Sequence, residues 1–356
     1  MTAMRAAVLH APGDLRIEER AIPRPGPGEA LVRVTVCGVC GTDAIEFDRG
    51  LLSAPPVTLG HEFAGVVAAL GEGVDAPPVG ASVVCGAGIA CGWCKPCLAG
   101  RTNLCRTYVT AGLQRDGGLA GYVGVPADTL LDVSGAGLPP DTLGLAQPMS
   151  IAVHTVRRSG LSAGDDVVIV GSGGIGSFIT FAAASAGARV IVVDPKEERL
   201  ALARALGAAE TVRSDEGALA DHLALRGIDA DVLFEVSGTA TGLAAVLDAA
   251  KPGATIVPVG VQKAEVVVPL SAWTLREYTI VGTVAHVLAT DMPEAVRLLA
   301  SRPDWSDVAP EVLPLDDLLE HGLRPMLERR TTRIKTLVDP WIDAPRRADH
   351  RRADAA

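Results

Sequence analysis

The stretch Val167–Asp194, VVIVGSGGIGSFITFAAASAGARVIVVD, decides the fold. Val167 to Val170 is an apolar run with the length of a buried strand, and it stops at Gly171-Ser172-Gly173-Gly174-Ile175-Gly176. That turn has the pattern G-x-G-x-x-G. Its first glycine allows a tight turn, its second lets the backbone approach a pyrophosphate, and its third lets helix and strand pack closely. An alanine-rich helix is expected next, closed by Gly187, with the free N–H groups at its start facing phosphate. A second apolar run, Arg189 to Val193, ends in Asp194, about 20 residues past the turn, where a carboxylate takes ribose hydroxyls. Such a carboxylate repels a 2′-phosphate, so NAD is favoured over NADP. The glycine pattern alone is weak in a chain with 39 glycines. The strand before it, the helix after it and the acid at the right distance make it a βαβ unit. The stretch also lacks charge from Val167 to Ala188, long enough for a membrane span, but its central glycines and flanking strands argue against one.

Outward from this unit, from about Gln147, strands and helices alternate. Asp166 to Val170, Arg189 to Asp194, Glu210 to Arg213, Ala230 to Val236, Ala254 to Gly260 and Tyr278 to Val284 read as strands. Glu197 to Leu206, Glu216 to Leu225 and Thr239 to Ala250 read as the helices between them, and Asp291 with Pro293 opens a further helix. The pattern predicts an α/β fold with a doubly wound parallel sheet. The earlier part differs. Arg5 to Leu9, Ala30 to Val36, Glu62 to Leu70 and Ala81 to Cys85 read as short strands punctuated by Pro and Gly, the pattern of a barrel or sandwich. The tail APRRADHRRADAA from Ala344 is charged and lacks large apolar residues, so it is expected to be disordered.

The chain of 356 residues suggests about two domains. A net charge of −10 argues against nucleic acid as a partner. The N-terminus has no long apolar core, so no signal peptide is expected. Seven cysteines cannot all pair with one another, and four lie in one short stretch, which suits a metal and a reducing cytoplasm.

Those four, Cys91, Cys94, Cys97 and Cys105, have the spacing C-x₂-C-x₂-C-x₇-C. Four thiolates in a tetrahedral array suit Zn²⁺, and a closed shell leaves no place for substrate, so the role is structural. An iron–sulfur cluster uses the same ligand set. A second candidate group is dispersed: Cys40 in CGVCGTD and His61-Glu62 in GHEFAG. Thiolate and neutral imidazole both ligate Zn²⁺, and a third ligand from elsewhere would leave an open position. Cys37 and Cys85 read as buried thiols.

CGVCGTD, GHEFAGVV, the four-cysteine lobe, QPMSIAVHTV and GSGGIG stand in one order, and in that order the chain resembles the zinc-containing medium-chain dehydrogenases/reductases. It is most similar to the branch of 2,3-butanediol, sorbitol and threonine dehydrogenases, over roughly Arg5 to Pro340. The resemblance implies a GroES-like β-barrel catalytic domain over 1–147, with the structural zinc lobe at about 85–110. It implies a Rossmann NAD-binding domain over 148–290, a return to the catalytic domain over 291–343, and a tail over 344–356. It also implies an active site in the cleft between domains, and a homodimer or homotetramer. Carried over residue by residue, Cys40 and His61 bind the catalytic zinc, and Glu62 stands behind them or alternates as a ligand. Thr42 bonds the substrate oxygen and passes on its proton. Gly171, Gly173, Gly174, Ile175 and Gly176 line the pyrophosphate, Asp194 the ribose and Arg199 the adenine. Ser237-Gly238, Val259-Gly260-Val261 and Gly282-Thr283-Val284 pass beside the cofactor.

Two positions depart from the family pattern. Relatives often carry Glu where this chain has Gln147, and a relay His where it has Ile45. With Gln147 the charge of Zn²⁺ and its ligands is +1 instead of zero, unless Glu62 makes up the difference. His154 and His286 read first as structural histidines, with a substitute relay as the second reading, and Thr42, Ile45, Phe47, Trp93, Trp273 and His286 are candidate pocket residues. The implied activity is hydride transfer between NAD(H) and a secondary alcohol or ketone of the polyol, diol, sugar or cyclitol class. An aldose dehydrogenase of the same fold and a non-catalytic NAD- and zinc-binding protein are the alternatives. A zinc-free quinone reductase has no use for these ligands.

Overall fold

The structure is a computed structural model, and it describes residues 2–351 apart from 263, 264, 329 and 332. Two units divide the chain: Met1–Ser150 with His286–Ala356, and Ile151–Ala285. The boundaries differ by a few residues from those expected, because the first falls inside the helix Ala146–Ser159. Pro148 sits in its first turn, where a missing N–H costs nothing. The helix expected at Asp291 begins earlier, as Leu288–Ser301, and the Asp291 carboxylate accepts from Val287 N–H at 2.6 Å.

In the first unit an eight-stranded sheet is built around Glu29–Val39. Glu62–Leu70 pairs with it antiparallel on one side, with Gly38 opposite Glu62. Thr336–Val338 from the far end of the chain pairs with it as well, Leu337 opposite Gly38. Tyr122–Pro126 also joins Glu29–Val39. A smaller sheet holds Ala3–Ala11 between Asp14–Ala21 and Val57–Thr58. Val32, Val34, Leu59, Phe63 and Leu119 fill the core between them.

The second unit carries the six-stranded parallel sheet. Its order is Glu210–Arg213, Arg189–Asp194, Asp166–Val170, Val232–Glu235, Thr255–Pro258, Thr279–Ile280. The three central strands, Arg189–Asp194, Asp166–Val170 and Val232–Glu235, read as near-continuous apolar runs because both faces are covered. The last is shorter than expected: it is an edge strand and pairs on one side only, with Thr255–Pro258. Among the described residues no helix is long and apolar enough to cross a membrane.

The tail overturns its expectation. Arg346–Arg347 forms a strand against Glu311–Leu313. Arg346 makes a bidentate pair with Asp141 at 2.6 and 2.8 Å. His350 is 2% exposed, with one ring nitrogen on Thr142 Oγ1 at 3.0 Å and the other on Ala309 O at 2.8 Å. Arg346 and His350, whose polarity suggested disorder, each have a partner in the folded unit. Residues 352–356 lie outside the described residues.

Candidate active site and zinc centres

Strand register assembles the dispersed metal group. With Gly38 opposite Glu62, Cys40 lies two residues beyond one member of the pair and His61 one residue before the other, at the same end of the sheet. The ligand atoms of Cys40, His61 and Glu62 lie within 4.8 Å of one another. Cys40 is also the residue before the helix Gly41–Arg49.

Asp43, absent from the sequence reading as a functional residue, ties the group together. It is fully buried. Its Oδ2 accepts from Cys40 N–H at 2.8 Å, and its Oδ1 accepts from Gly60 N–H at 3.3 Å and stands 3.5 Å from His61 Nδ1. Burial alone would lower the His61 pKa, but the Asp43 carboxylate and the Cys40 sulfur outweigh it and raise it well above the usual value. Carboxylate behind imidazole is the arrangement that orients a metal-binding histidine. The signal was present in the sequence as an acid three residues after Cys40, the spacing by which a side chain closes back on the start of a helix.

Lys335 was missed altogether. Its side chain is 6% exposed and pairs with the Glu62 carboxylate, itself 1% exposed. Burial would lower the Lys335 pKa, but Glu62 and Cys40 outweigh it and raise it. Gly38 makes room for this pair: a Cβ there would collide with Glu62 Oε2 and come within 3.0 Å of Lys335 Cε. Thr42 Oγ1 stands 3.7 Å from Cys40 Sγ. Gln147 lies half-buried in the first turn of its helix. Its carbonyl accepts the Ser150 hydroxyl at 2.7 Å, so the same hydroxyl oxygen accepts from His286 Nδ1–H at 2.9 Å. Ile45 is 37% exposed, whereas Phe47 packs into the core.

The cysteine lobe is local. Its four sulfurs also lie within 4.8 Å of one another, with Cys94 Sγ 3.4 Å from Cys97 Sγ and 4.0 Å from Cys105 Sγ. Sulfurs around one zinc stand roughly 3.8 Å apart, given Zn–S bonds of about 2.3 Å. Backbone N–H groups of Arg106 and Cys97 pull the Cys94 thiol down, and that of Cys91 foremost pulls Cys105 down to about 6. Burial and the neighbouring sulfurs push Cys97 up to about 12. Like charges this close resist common ionisation; a dication removes that conflict. Both groups therefore fit Zn²⁺: four sulfurs in one, and in the other a sulfur, an imidazole and a carboxylate gathered within 4.8 Å. Cys37 and Cys85 stay as buried thiols, Cys85 pushed up by burial to about 11.

In the second unit the glycine turn keeps its expected geometry. Gly171 has φ +103°, a left-handed conformation that favours glycine, and a Cβ on Gly176 would collide with Gly171 O. A Cβ on Gly173 would meet nothing within 4 Å, which leaves open room beside the start of the helix Gly174–Ser185. Ser172 Oγ is buried without a partner. These features fit a pyrophosphate. Gly174 and Ile175 open the helix. Asp194 is 2% exposed and accepts from Ser172 N–H at 2.9 Å, Lys196 N–H at 3.0 Å and Arg199 Nη1 at 3.4 Å. Thr283 Oγ1 bonds Thr155 Oγ1 at 3.3 Å. Val259 and Gly260 hang by their N–H groups on Glu235 O, and Val261 is 88% exposed. Trp273 belongs to a small cavity of this unit with Leu247, Asp248 and Arg276. Trp93 is 72% exposed on the cysteine lobe.

Comparison with known proteins agrees with this geometry. Residues 26–135 match the alcohol dehydrogenase GroES-like domain, and residues 174–301 match the zinc-binding dehydrogenase family. A 2-dehydro-3-deoxy-L-galactonate 5-dehydrogenase of Pseudoalteromonas atlantica is 34% identical over 85% of this chain and 89% of its own. The chain belongs to the zinc-type alcohol dehydrogenase family. Among solved structures, a candidate zinc-binding dehydrogenase of Sinorhizobium meliloti 1021 bound to NADP superimposes with a TM-score of 0.89, at 32% identity over 96% of this chain and 100% of that one. The 2R,3R-butanediol dehydrogenase of Bacillus subtilis gives 0.87, at 29% identity over 95% and 99%. This zinc-type alcohol dehydrogenase is thus an enzyme of the alcohol and polyol class, built from a GroES-like domain and a Rossmann-type parallel sheet.

Proposed function

We propose that the enzyme transfers a hydride between NAD(H) and a secondary alcohol or its ketone, of the polyol, diol, sugar or cyclitol class. The observation that carries this reading is the convergence of Cys40, His61 and Glu62 within 4.8 Å, with Thr42 beside the sulfur. When bound, zinc supplies Lewis acidity at the alcohol oxygen, and NAD supplies the hydride acceptor.

The protein's own residues do the rest. Cys40 and His61 hold the metal, and Asp43 orients the imidazole from behind. Glu62 is engaged by Lys335, which supports Gln147, a neutral ligand, as the third protein group. The site then keeps a net positive charge toward substrate. Thr42 bonds the substrate oxygen and takes its proton; with Ile45 at the usual relay position and partly exposed, the proton passes to water. In the second unit the Gly171–Gly176 turn takes the pyrophosphate and Asp194 the ribose hydroxyls. The buried Asp194 carboxylate supports NAD, while the S. meliloti relative binds NADP. The seven cysteines are free thiols, which supports a reducing compartment, the cytoplasm. We take the enzyme to be a homodimer or homotetramer, which light scattering of the purified protein tests.

The deciding experiment is a panel of diols, polyols, cyclitols and aldoses with NAD and with NADP, following absorbance of the reduced cofactor. Turnover of a secondary alcohol with NAD, lost in Cys40→Ala, is the expected result. A lactone product identifies an aldose dehydrogenase instead. Zinc- and dinucleotide-loaded protein that turns over nothing on the panel counts against catalysis altogether.

A further inference from the structure

Glu235 is a carboxylate that the reaction does not use. It ends the strand Val232–Glu235 and pairs in register with Val170, the last residue before the glycine turn. The sheet order reverses between these two strands, and ligands of such sheets bind outside the carboxyl ends at that point. The residue is fully buried. Its Oε1 accepts from the Ser237 hydroxyl and from Gly238 N–H at 3.1 Å. Its Oε2 accepts from Gln262 Nε2 at 2.9 Å and again from Gly238 N–H at 3.3 Å. Its carbonyl takes Val259 N–H and Gly260 N–H at 2.8 and 2.9 Å. Val236 N–H and Ser237 N–H bond Val170 O, and a Cβ on Gly171 would come within 2.8 Å of Ser237 N. Three loops therefore meet at one side chain.

The donors dictate the chemistry of that side chain. Burying a carboxylate is costly, and burial raises the Glu235 pKa. An amide of the same shape would escape that cost. Only an ionised carboxylate, however, accepts on both oxygens, and here both oxygens face donors. A glutamine would set an NH₂ against either the Gly238 N–H or the Gln262 NH₂.

We propose that Glu235 is a positioning residue for the dinucleotide: it fixes the spacing of the Ser237–Gly238 and Gly260–Gln262 loops so that their backbones take the half of the cofactor beyond the pyrophosphate. This rests on the dinucleotide reading above.

The test uses the full-length, zinc-loaded enzyme titrated with NADH and with NADPH by fluorescence. Glu235→Gln raises the dinucleotide Kd about tenfold to hundredfold, the size expected when hydrogen bonds to a charged group are lost. Zinc content stays at the parent value, and KM for the cofactor rises while kcat is kept. Gln262→Glu also weakens binding, because two carboxylates then face each other. The double variant Glu235→Gln/Gln262→Glu recovers most of the parent affinity, since acid and amide have exchanged places. An unchanged Kd in Glu235→Gln overturns the proposal, and so does a loss that the double variant leaves unrescued. If Glu235→Gln fails to fold, Gln262→Leu reads the same arm at a partly exposed position: weaker binding supports the proposal and unchanged binding overturns it. A parent enzyme that binds neither dinucleotide overturns the dinucleotide reading itself, which separates that failure from this one.

Discussion

The two sulfur-bearing centres of the first unit are built in opposite ways. The lobe draws four identical ligands from one loop, Cys91 to Cys105, and backbone N–H groups tune Cys94 and Cys105 while burial and the neighbouring sulfurs tune Cys97. The Cys40–His61–Glu62 group is drawn from the adjoining ends of two strands, and two buried side chains, Asp43 three residues past Cys40 and Lys335 from the far end of the chain, set its charges. The difference shows how structure divides the labour of a metal. A closed local shell stabilises the fold around it and offers nothing to a substrate. A dispersed shell with mixed charges leaves a coordination position open, and it exists only when the whole sheet is formed.

The largest expected effect breaks the pair apart. Cys40→Ala lowers kcat/KM by at least about 10³-fold, as the loss of several kcal/mol of Lewis-acid stabilisation requires, with little change in the thermal midpoint. Cys94→Ser does the reverse: one zinc is lost and the midpoint falls, while kcat per folded molecule is preserved. Metal analysis, calorimetry and kinetics on both variants check this, and a Cys94→Ser protein that keeps its stability but loses activity would erase the distinction. Next, Lys335→Met strands Glu62 as a buried charge and costs about 3–5 kcal/mol in urea denaturation. A cost below about 1 kcal/mol would mean the pair is not a buried one. Asp43→Asn weakens one of the two zinc sites by about 10–100-fold in competition with a chelator and leaves the other untouched. The smallest effect belongs to the lobe: Thr107 donates its backbone N–H to Cys105 Sγ at 3.4 Å, and its hydroxyl lies 3.6 Å from the same sulfur. Thr107→Val removes only the hydroxyl contact and costs about 1 kcal/mol or less.

How much of this was legible follows the same division. The cysteine spacing and the glycine turn are local patterns, and the structure keeps both. Cys40 and His61 stood out by type, but what joins them is strand register, which no spacing in one segment displays. Asp43 was readable as a helix-start acid and was passed over. Lys335 was not readable: a lone lysine near the end of the chain gives no sign that it will be buried against Glu62. The tail misled for a related reason. Its composition is that of a solvated segment, yet Arg346 finds Asp141 205 positions away and His350 finds Thr142 208 positions away. Composition reports the charges of a segment and not the partners waiting for them.

The discontinuity of the first unit has a consequence for synthesis. On the ribosome the parallel-sheet unit emerges as one uninterrupted piece and is free to fold as it appears, as domains generally do. The barrel cannot follow suit, because its central strand Glu29–Val39 lacks Thr336–Val338 as a neighbour until translation is almost over. Until then the nascent chain holds an acidic group at Glu62 without the ammonium that will neutralise it. On the proposed reading, capture of a metal by Cys40 and His61 would thereby be one of the last events in the making of the enzyme.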